Sequence, residues 1–544
     1  MLNATSAKRA LYVALSLSFA DGSIRAEEVA AASPEQPAAA QESAPRFDVM
    51  EYQVENNTVL DSVRIEKTVY PFLGPGKGID DVEKARAALE NLYHEAGYAS
   101  ALVDIPEQDV DGGVVILRVV ESKVDRLKVS GSRYFSLGRI KEKVPALAEG
   151  QVLNVPKAQD QLAKLSKESG DRKITPVMRA GSTPGTVEVD LQVEDQLPLH
   201  GSLELNARNS VNTSRLRLIA QMRYDNLWQR LHSASLQYQV SPENDKDVEV
   251  WAGTYVMPLD FLDAKLAFYG VGLDSSSDVA AAGALTVIGN GNIFGARMIK
   301  PLPVFEGYMH SLSLGWDYKD FGQSVVLQGA DTQNTPISYS PFSLGYSGTA
   351  LYGEGSYTQF NAEVNFSIRG LGNNQQEFED KRFGAKSNYL YFGGDIKHQQ
   401  NLPYDLRLVA KLAGQVADSP LISNEQFSAG GMLSVRGYHE VELLGDDGVN
   451  GNLEFYSPNI GELAGWEWLD ELRFMAFTDG AQLWVDDALP GTPSEYHIAS
   501  AGLGLHTQIW RHLQGEFYWA YPFSPTDQVR VGENRLDFRV AYEF

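Results

Sequence analysis

The final nine residues, Leu536-Asp537-Phe538-Arg539-Val540-Ala541-Tyr542-Glu543-Phe544, alternate strictly. A strand has period two, so Leu536, Phe538, Val540, Tyr542 and Phe544 share one face. Asp537, Arg539, Ala541 and Glu543 share the other. The same alternation recurs through residues 199–544. Leu216, Leu218, Ala220, Met222 and Tyr224 oppose Arg217, Gln221, Arg223 and Asp225. Phe360, Ala362, Val364, Phe366 and Ile368 oppose Asn361, Glu363, Asn365, Ser367 and Arg369. Leu406, Leu408, Ala410, Leu412 and Val416 oppose Arg407, Lys411 and Gln415. About 16 such segments fit a transmembrane β-barrel, apolar toward lipid and polar toward a wet lumen. A soluble β-sandwich does not sustain so many long strands with aromatic ends such as Trp316, Tyr318, Phe517, Trp519 and Tyr521.

Composition agrees with an envelope barrel. The formal net charge of −25, from 46 Lys+Arg against 71 Asp+Glu, argues against a nucleic-acid partner. The chain has no cysteine, which excludes disulfides and thiolate metal sites. It lacks an unbroken apolar run of about 18 residues, so helical spans are not expected. A hydrophobic fraction of 43% hides a barrel well, because alternate wall residues are polar.

Lys8-Arg9, the apolar stretch 10–20 and Ser18-Phe19-Ala20 read as a signal peptide, residues 1–20, with a second cleavage choice at 26. An Ala/Pro-rich linker is expected over 21–46. Two α+β modules of βααββ order follow, at 47–121 and 122–198, ahead of the barrel at 199–544. In the first, helices are expected near 59–69 and over 79–96, with Asp80 or Asp81 as cap and Gly97 beyond the end. Its strands are expected at 49–54, 99–105 and 114–120. In the second, strands at 124–129, 174–179 and 187–193 flank helices at 137–144 and 156–169. Pro156 suits a first helical turn.

The longest non-strand connection runs over 418–451, and loops of that length are usually functional. It contains Gly430-Gly431-Met432-Leu433-Ser434-Val435-Arg436-Gly437-Tyr438, then Gly445-Asp446-Asp447-Gly448 and Asn452-Leu453-Glu454 with Pro458. Here the chain resembles the sixth extracellular loop of outer-membrane assembly and secretion barrels. Two small modules before the barrel, with Tyr93, Gly97-Tyr98, Ile105-Pro106-Glu107-Gln108 and Gly112-Gly113 in the first, are similar to the POTRA-bearing two-partner secretion transporters (TpsB), the haemolysin secretion/activation proteins. The resemblance implies that the loop folds into the lumen. It also implies that Arg436 meets the aspartate of a Phe-x-Asp motif, here Phe477-Thr478-Asp479. Val435, Arg436, Gly437, Tyr438 and Asp479 are therefore the expected anchoring residues, and Phe544 the terminal assembly signal. Many members carry an N-terminal plug helix. Pro34, Pro37 and Pro45 argue against one here, leaving the loop to close the lumen.

The implied function is an outer-membrane pore that secretes a partner exoprotein, haemolysin- or adhesin-like and rich in β-repeats, without ATP. The alternative is a factor that assembles other barrels. Expected partners are that exoprotein, outer-membrane lipids and the barrel-assembly machinery. Gly74-Pro75-Gly76-Lys77-Gly78 lacks the spacing and the Ser/Thr of a phosphate loop. The histidines show no ligand spacing and no G-x-S-x-G elbow is present. No catalytic residue, metal or cofactor is expected.

Overall fold

A computed structural model describes residues 46–544 except 212, 276–278, 283–284, 289, 323 and 326–332. The signal-peptide reading, most of the linker and the plug-helix expectation lie outside the described residues. Among the described residues one compact unit comprises 46–55, Asp61–Leu89 and Val103–Arg118. The other comprises Asn56–Leu60, Glu90–Leu102 and Val119–Phe544.

In the first module the strand Glu51–Glu55 pairs in parallel with Val114–Val120, and Leu102–Asp104 flanks the latter on its other side. The helix Ile79–Glu95 buries Val82, Ala85, Leu89 and Tyr93, whose spacing keeps one face inward. Asp81 accepts the Gly78 N–H at 3.2 Å at its start. At its end Gly97 adopts φ +93° and donates to the His94 carbonyl at 3.0 Å. The strand expected over 99–105 is shorter, because a Tyr98 carbonyl–Ala101 N–H turn precedes it and Pro106 follows. Beyond it the Gln108 amide takes a strand's place: it donates to the Ile116 carbonyl at 2.8 Å and accepts its N–H at 2.7 Å. The Gly74–Lys77 segment is a short strand paired with Phe47–Val49.

The second module repeats the plan. Thr186–Asp195 lies between parallel Lys123–Ser130 and antiparallel Arg172–Ala180. The helix Val155–Lys167 opens with Pro156, and Asn154 accepts the Lys157 N–H at 3.1 Å. The helix expected over 137–144 stops at Glu142. Val144 stands before Pro145, and a residue before proline is driven from helical geometry.

The remaining chain is a closed antiparallel barrel of sixteen wall strands, one of them interrupted between Ile337–Tyr339 and Pro341–Leu351. The alternation holds side by side. Met222 is 56% exposed on the outside while its neighbour Gln221 lines the interior. Among the described residues no helix is long and apolar enough to cross a membrane, and closed strands do so instead. The interior is not polar throughout, as the alternation implied. Toward one end the inward-facing Val248, Val250, Val271, Leu273, Ile293 and Phe321 form a dry cluster under loop residues.

The long connection ends earlier than 451. The returning wall strand is Asp447–Tyr456, paired with Arg407–Ala417 through Gln415 opposite Gly448. Gly448 reads as a loop residue in sequence. In the fold it leaves room for Phe427, whose ring would lie 2.2 Å from an added Cβ.

The barrel closes between Leu199–Asn206 and Arg535–Glu543 through five register pairs, Arg539 with Asn206 to Glu543 with Ser202. Phe544 extends the seam: it donates to the Gly201 carbonyl at 3.0 Å and accepts the Gly201 N–H at 3.1 Å. Its ring lies against Gly201, where an added Cβ would come within 2.3 Å. Phe544→Ala and Gly201→Leu are each expected to lower the folded, heat-modifiable barrel by about half or more, because both disturb closure. Unchanged yield on a heat-shift gel would contradict this role.

Candidate functional site: a loop held inside the barrel

Arg436 sits in the loop 418–446 and is 2% exposed. Its Nε–H and Nη2–H donate to Asp479 Oδ2 and Oδ1, both at 2.7 Å, and its backbone N–H reaches Oδ2 at 3.0 Å. This is a bidentate fork, the directional form of an ion pair. Asp479 comes from the wall strand Leu469–Trp484, whose period two places Met475, Phe477, Asp479 and Ala481 all inward. Phe477 therefore lies under the guanidinium, 3.7 Å from ring centre to Cζ, and Tyr518 lies 5.2 Å away.

The charges balance locally. Glu454 Oε1 stands 3.0 Å from Arg436 Nη2 and 3.3 Å from Lys411 Nζ. Two cations thus face two carboxylates. Asn452 Nδ2 donates to Asp479 at 2.8 Å. Removing one member of such a buried pair costs about 3–5 kcal/mol, because the other charge is left without its partner.

The residues beside Arg436 seat the loop. Val435 and Tyr438 are fully buried. They pack with Ala429, Ala481, Leu483, Ile498 and Val529. Tyr438 Oη lies 2.8 Å from the Ser524 carbonyl and 3.0 Å from that of Ala499. Gly437 has φ +95°, and an added Cβ would stand 3.2 Å from Ala520. Farther along, Glu440 takes the Arg208 guanidinium at 3.0 and 3.3 Å, tying the loop to the first wall-strand connection.

Below the loop is a polar cavity of about 530 Å³ inside the barrel. Arg436, Met432 and Leu433 line it with Glu204, Gln221, Gln237, Lys397, Gln399, His506 and Arg539 from the wall. Arg539 pairs with Glu204 at 2.8 Å and Glu516 at 3.3 Å. The lining offers hydrogen-bonding groups of both signs.

Tyr518 and Arg208 were not singled out from sequence, and Phe477, Glu454 and Asn452 stood there only as motif residues with no contact to Arg436 assigned. Two of them carried a signal. Asn452, Glu454 and Tyr456 share the face opposite Leu453 and Phe455, so the re-entry strand already showed an inward polar row. A separate cluster of titratable groups lies elsewhere. Asp171, His200 and Asp225 bring one ligand atom each within 4.8 Å of one another. Gln196 already donates to Asp171 at 2.9 Å, and Arg223 and Ser233 to Asp225 at 2.9 and 2.6 Å. Protein donors thus satisfy these carboxylates, and the cluster reads as a joint between the second module and the first wall strands.

Small α+β modules ahead of a closed sixteen-stranded barrel with an inward loop make a protein that spans a membrane with strands. Residues 47–122 match the family model "POTRA domain, ShlB-type", and residues 185–507 match "Haemolysin secretion/activation protein ShlB/FhaC/HecB". The chain belongs to that haemolysin secretion/activation family, the two-partner secretion transporters of the outer membrane, with its N-terminal modules in the periplasm. It is 22% identical over 510 residues to the outer membrane transporter CdiB of Dickeya dadantii, covering 92% of this chain and 87% of the relative. It is 19% identical over 431 residues to the heme/hemopexin transporter protein HuxB of Haemophilus influenzae, covering 76% and 73%. Solved structures share the fold. CdiB of Escherichia coli superposes with TM-score 0.60 at 19% identity, over 94% and 93% of the two chains. BamA of Haemophilus ducreyi lacking POTRA domains 1–3 gives TM-score 0.57 at 15% identity, over 92% and 100%.

Arg436→Ala and Asp479→Ala are each expected to cut export at least about tenfold while leaving an inserted barrel. The double variant should be no more than about twofold worse than the worse single, because each change breaks one shared contact. Secretion defects that multiply would show that the two residues act independently.

Proposed function

We propose that the lumen of this barrel conducts a partner exoprotein, with Val435, Arg436, Gly437, Tyr438 and Asp479 holding the inward loop in the shape that export requires. The polar cavity beneath that loop, lined by charges paired between neighbouring wall strands, is the observation that carries the reading. The periplasmic modules receive the unfolded partner by strand addition. Main-chain bonds give affinity that tolerates many sequences. Glu51–Glu55 in the first module and Arg172–Ala180 in the second lie at sheet edges and suit that role. The chain carries no phosphate-loop motif, so folding of the partner outside the cell supplies the drive. The protein acts as a conduit and not as an enzyme. Its partner is a secreted haemolysin- or adhesin-like protein. The barrel-assembly machinery reads Phe544, and lipid covers the apolar outer wall.

Deleting the gene should remove a large protein from the culture medium, and restoring the full chain should return it. An unchanged set of secreted proteins, under conditions where the transporter is expressed, would contradict the reading. Protease added to intact cells should leave residues 47–198 uncut, whereas cleavage within them would overturn their periplasmic placement.

A further inference from the structure

A second buried ion pair stands in the same loop and shares no residue with the Arg436 site. Asp446 is completely buried. Arg382 Nη2 donates to its Oδ2 at 2.6 Å, and Arg382 Nη1 contacts Oδ1. The same carboxylate accepts the Leu421 N–H at 2.8 Å, the Asp486 N–H at 2.8 Å and the Gln426 amide at 3.2 Å. Arg382 also contacts the carbonyl of Leu421 and donates to that of Asp486 at 2.9 Å. Arg382 follows the short helix Gln375–Lys381. Leu421 and Gln426 open the long loop, and Asp486 follows the wall strand Leu469–Trp484. One guanidinium–carboxylate fork thus ties three connections on the same side of the barrel.

Below this fork lies the dry cluster. Phe378, Ala385 and Tyr389 from the segment carrying Arg382, and Leu421 and Ile422 from the long loop, pack on Val248, Val250, Leu273, Ile293 and Tyr339 of the wall. Glu425 fixes the same segment from the wall side: it meets Lys319 Nζ at 2.6 Å and the hydroxyls of Tyr339 at 2.5 Å and Tyr391 at 3.0 Å. Apolar side chains here fill lumen that a wet pore would leave to water. Nothing in export benefits from this packing, because a polypeptide backbone crossing it would lose its hydrogen bonds to water.

We propose that Arg382 and Asp446 form a latch that keeps the outer end of the lumen shut, and that this latch opens while the Arg436–Asp479 anchor stays closed. The inference rests on the reading of the lumen as the export path. It assigns to the dry cluster the sealing of the resting pore, and to Arg382 the positioning of the two loop segments that build it. Export then requires the loop start to leave the wall, and a single fork controls three connections at once.

The absence of cysteine makes the test direct. Leu421→Cys, at a position 1% exposed, is labelled in whole cells with a thiol reagent that cannot cross membranes. Alone it should react slowly. Combined with Arg382→Ala or Asp446→Asn it should react at least tenfold faster, and both variants should raise pore conductance in planar bilayers. Heat-shift gels monitor barrel folding in the same samples. Equal labelling rates in folded barrels would overturn the latch, as would fast labelling of Leu421→Cys alone. Loss of the folded barrel in both variants would assign the pair to assembly and overturn it too. Neither readout needs a partner protein, so failure of the latch is distinct from failure of the export reading, which is measured in the medium.

Discussion

Every backbone N–H and C=O within the hydrocarbon layer must find a partner inside the protein, and a strand can meet that demand only by closing on itself. The rest of this molecule follows from that closure. Sixteen strands pair in sequence order, and the final pairing joins the chain's last strand to the first wall strand. The seam is short, five register pairs against eight on the other side of Leu199–Asn206. The two-way bond between Phe544 and Gly201 lengthens it by one turn of the ladder. A glycine at 201 and an aromatic at 544 are thus one design: the ring occupies the space that a side chain would take.

Closure creates an interior, and the interior creates the problem of the long loop. Ordering a loop of this length costs conformational entropy at every residue. The structure offsets it with buried charge forks and packed apolar groups. Arg436 is surrounded by two carboxylates, one of them shared with Lys411, and by two aromatic faces, so its charge is matched within the site. Tyr438 and Val435 add packing against Leu483 and Ile498. At the start of the loop, Leu421 and Ile422 pack on the opposite arc of wall strands. The loop therefore crosses the lumen between two apolar clusters, with a polar cavity beneath it.

Wall strands were legible in the sequence because lipid and lumen demand opposite chemistry from neighbouring residues. Met222 and Gln221 show this as plainly as Leu536 and Asp537 do. The helix Ile79–Glu95 was legible from its buried stripe and from Gly97. The pairing of Arg436 with Asp479 came from the family resemblance, since nothing in spacing links residues 436 and 479. Glu454 and Phe477 stood in the sequence as motif residues, but their contacts with Arg436 did not show, because inward residues of a barrel were expected to meet water, whereas here they meet a loop. The apolar inner row at Val248, Val250, Leu273 and Ile293 escaped for the same reason. A side chain facing inward looks the same in sequence whether water or a folded-back segment covers it. The start of Asp447–Tyr456 was hidden by Gly448, whose role depends on Phe427 from a distant part of the loop.

If the lumen is the export path, the inner wall, and not the outer, meets the travelling polypeptide. A photo-crosslinking amino acid placed at Gln221 or Gln237 faces the cavity, while one at Met222 faces lipid. In cells exporting the partner, both inward positions should give a crosslinked product carrying the partner chain, and Met222 should give none. A one-residue step flips the face, so the comparison is internal to one strand. Crosslinks to the partner from Met222, or none from the inward positions during active export, would place the export path outside the lumen.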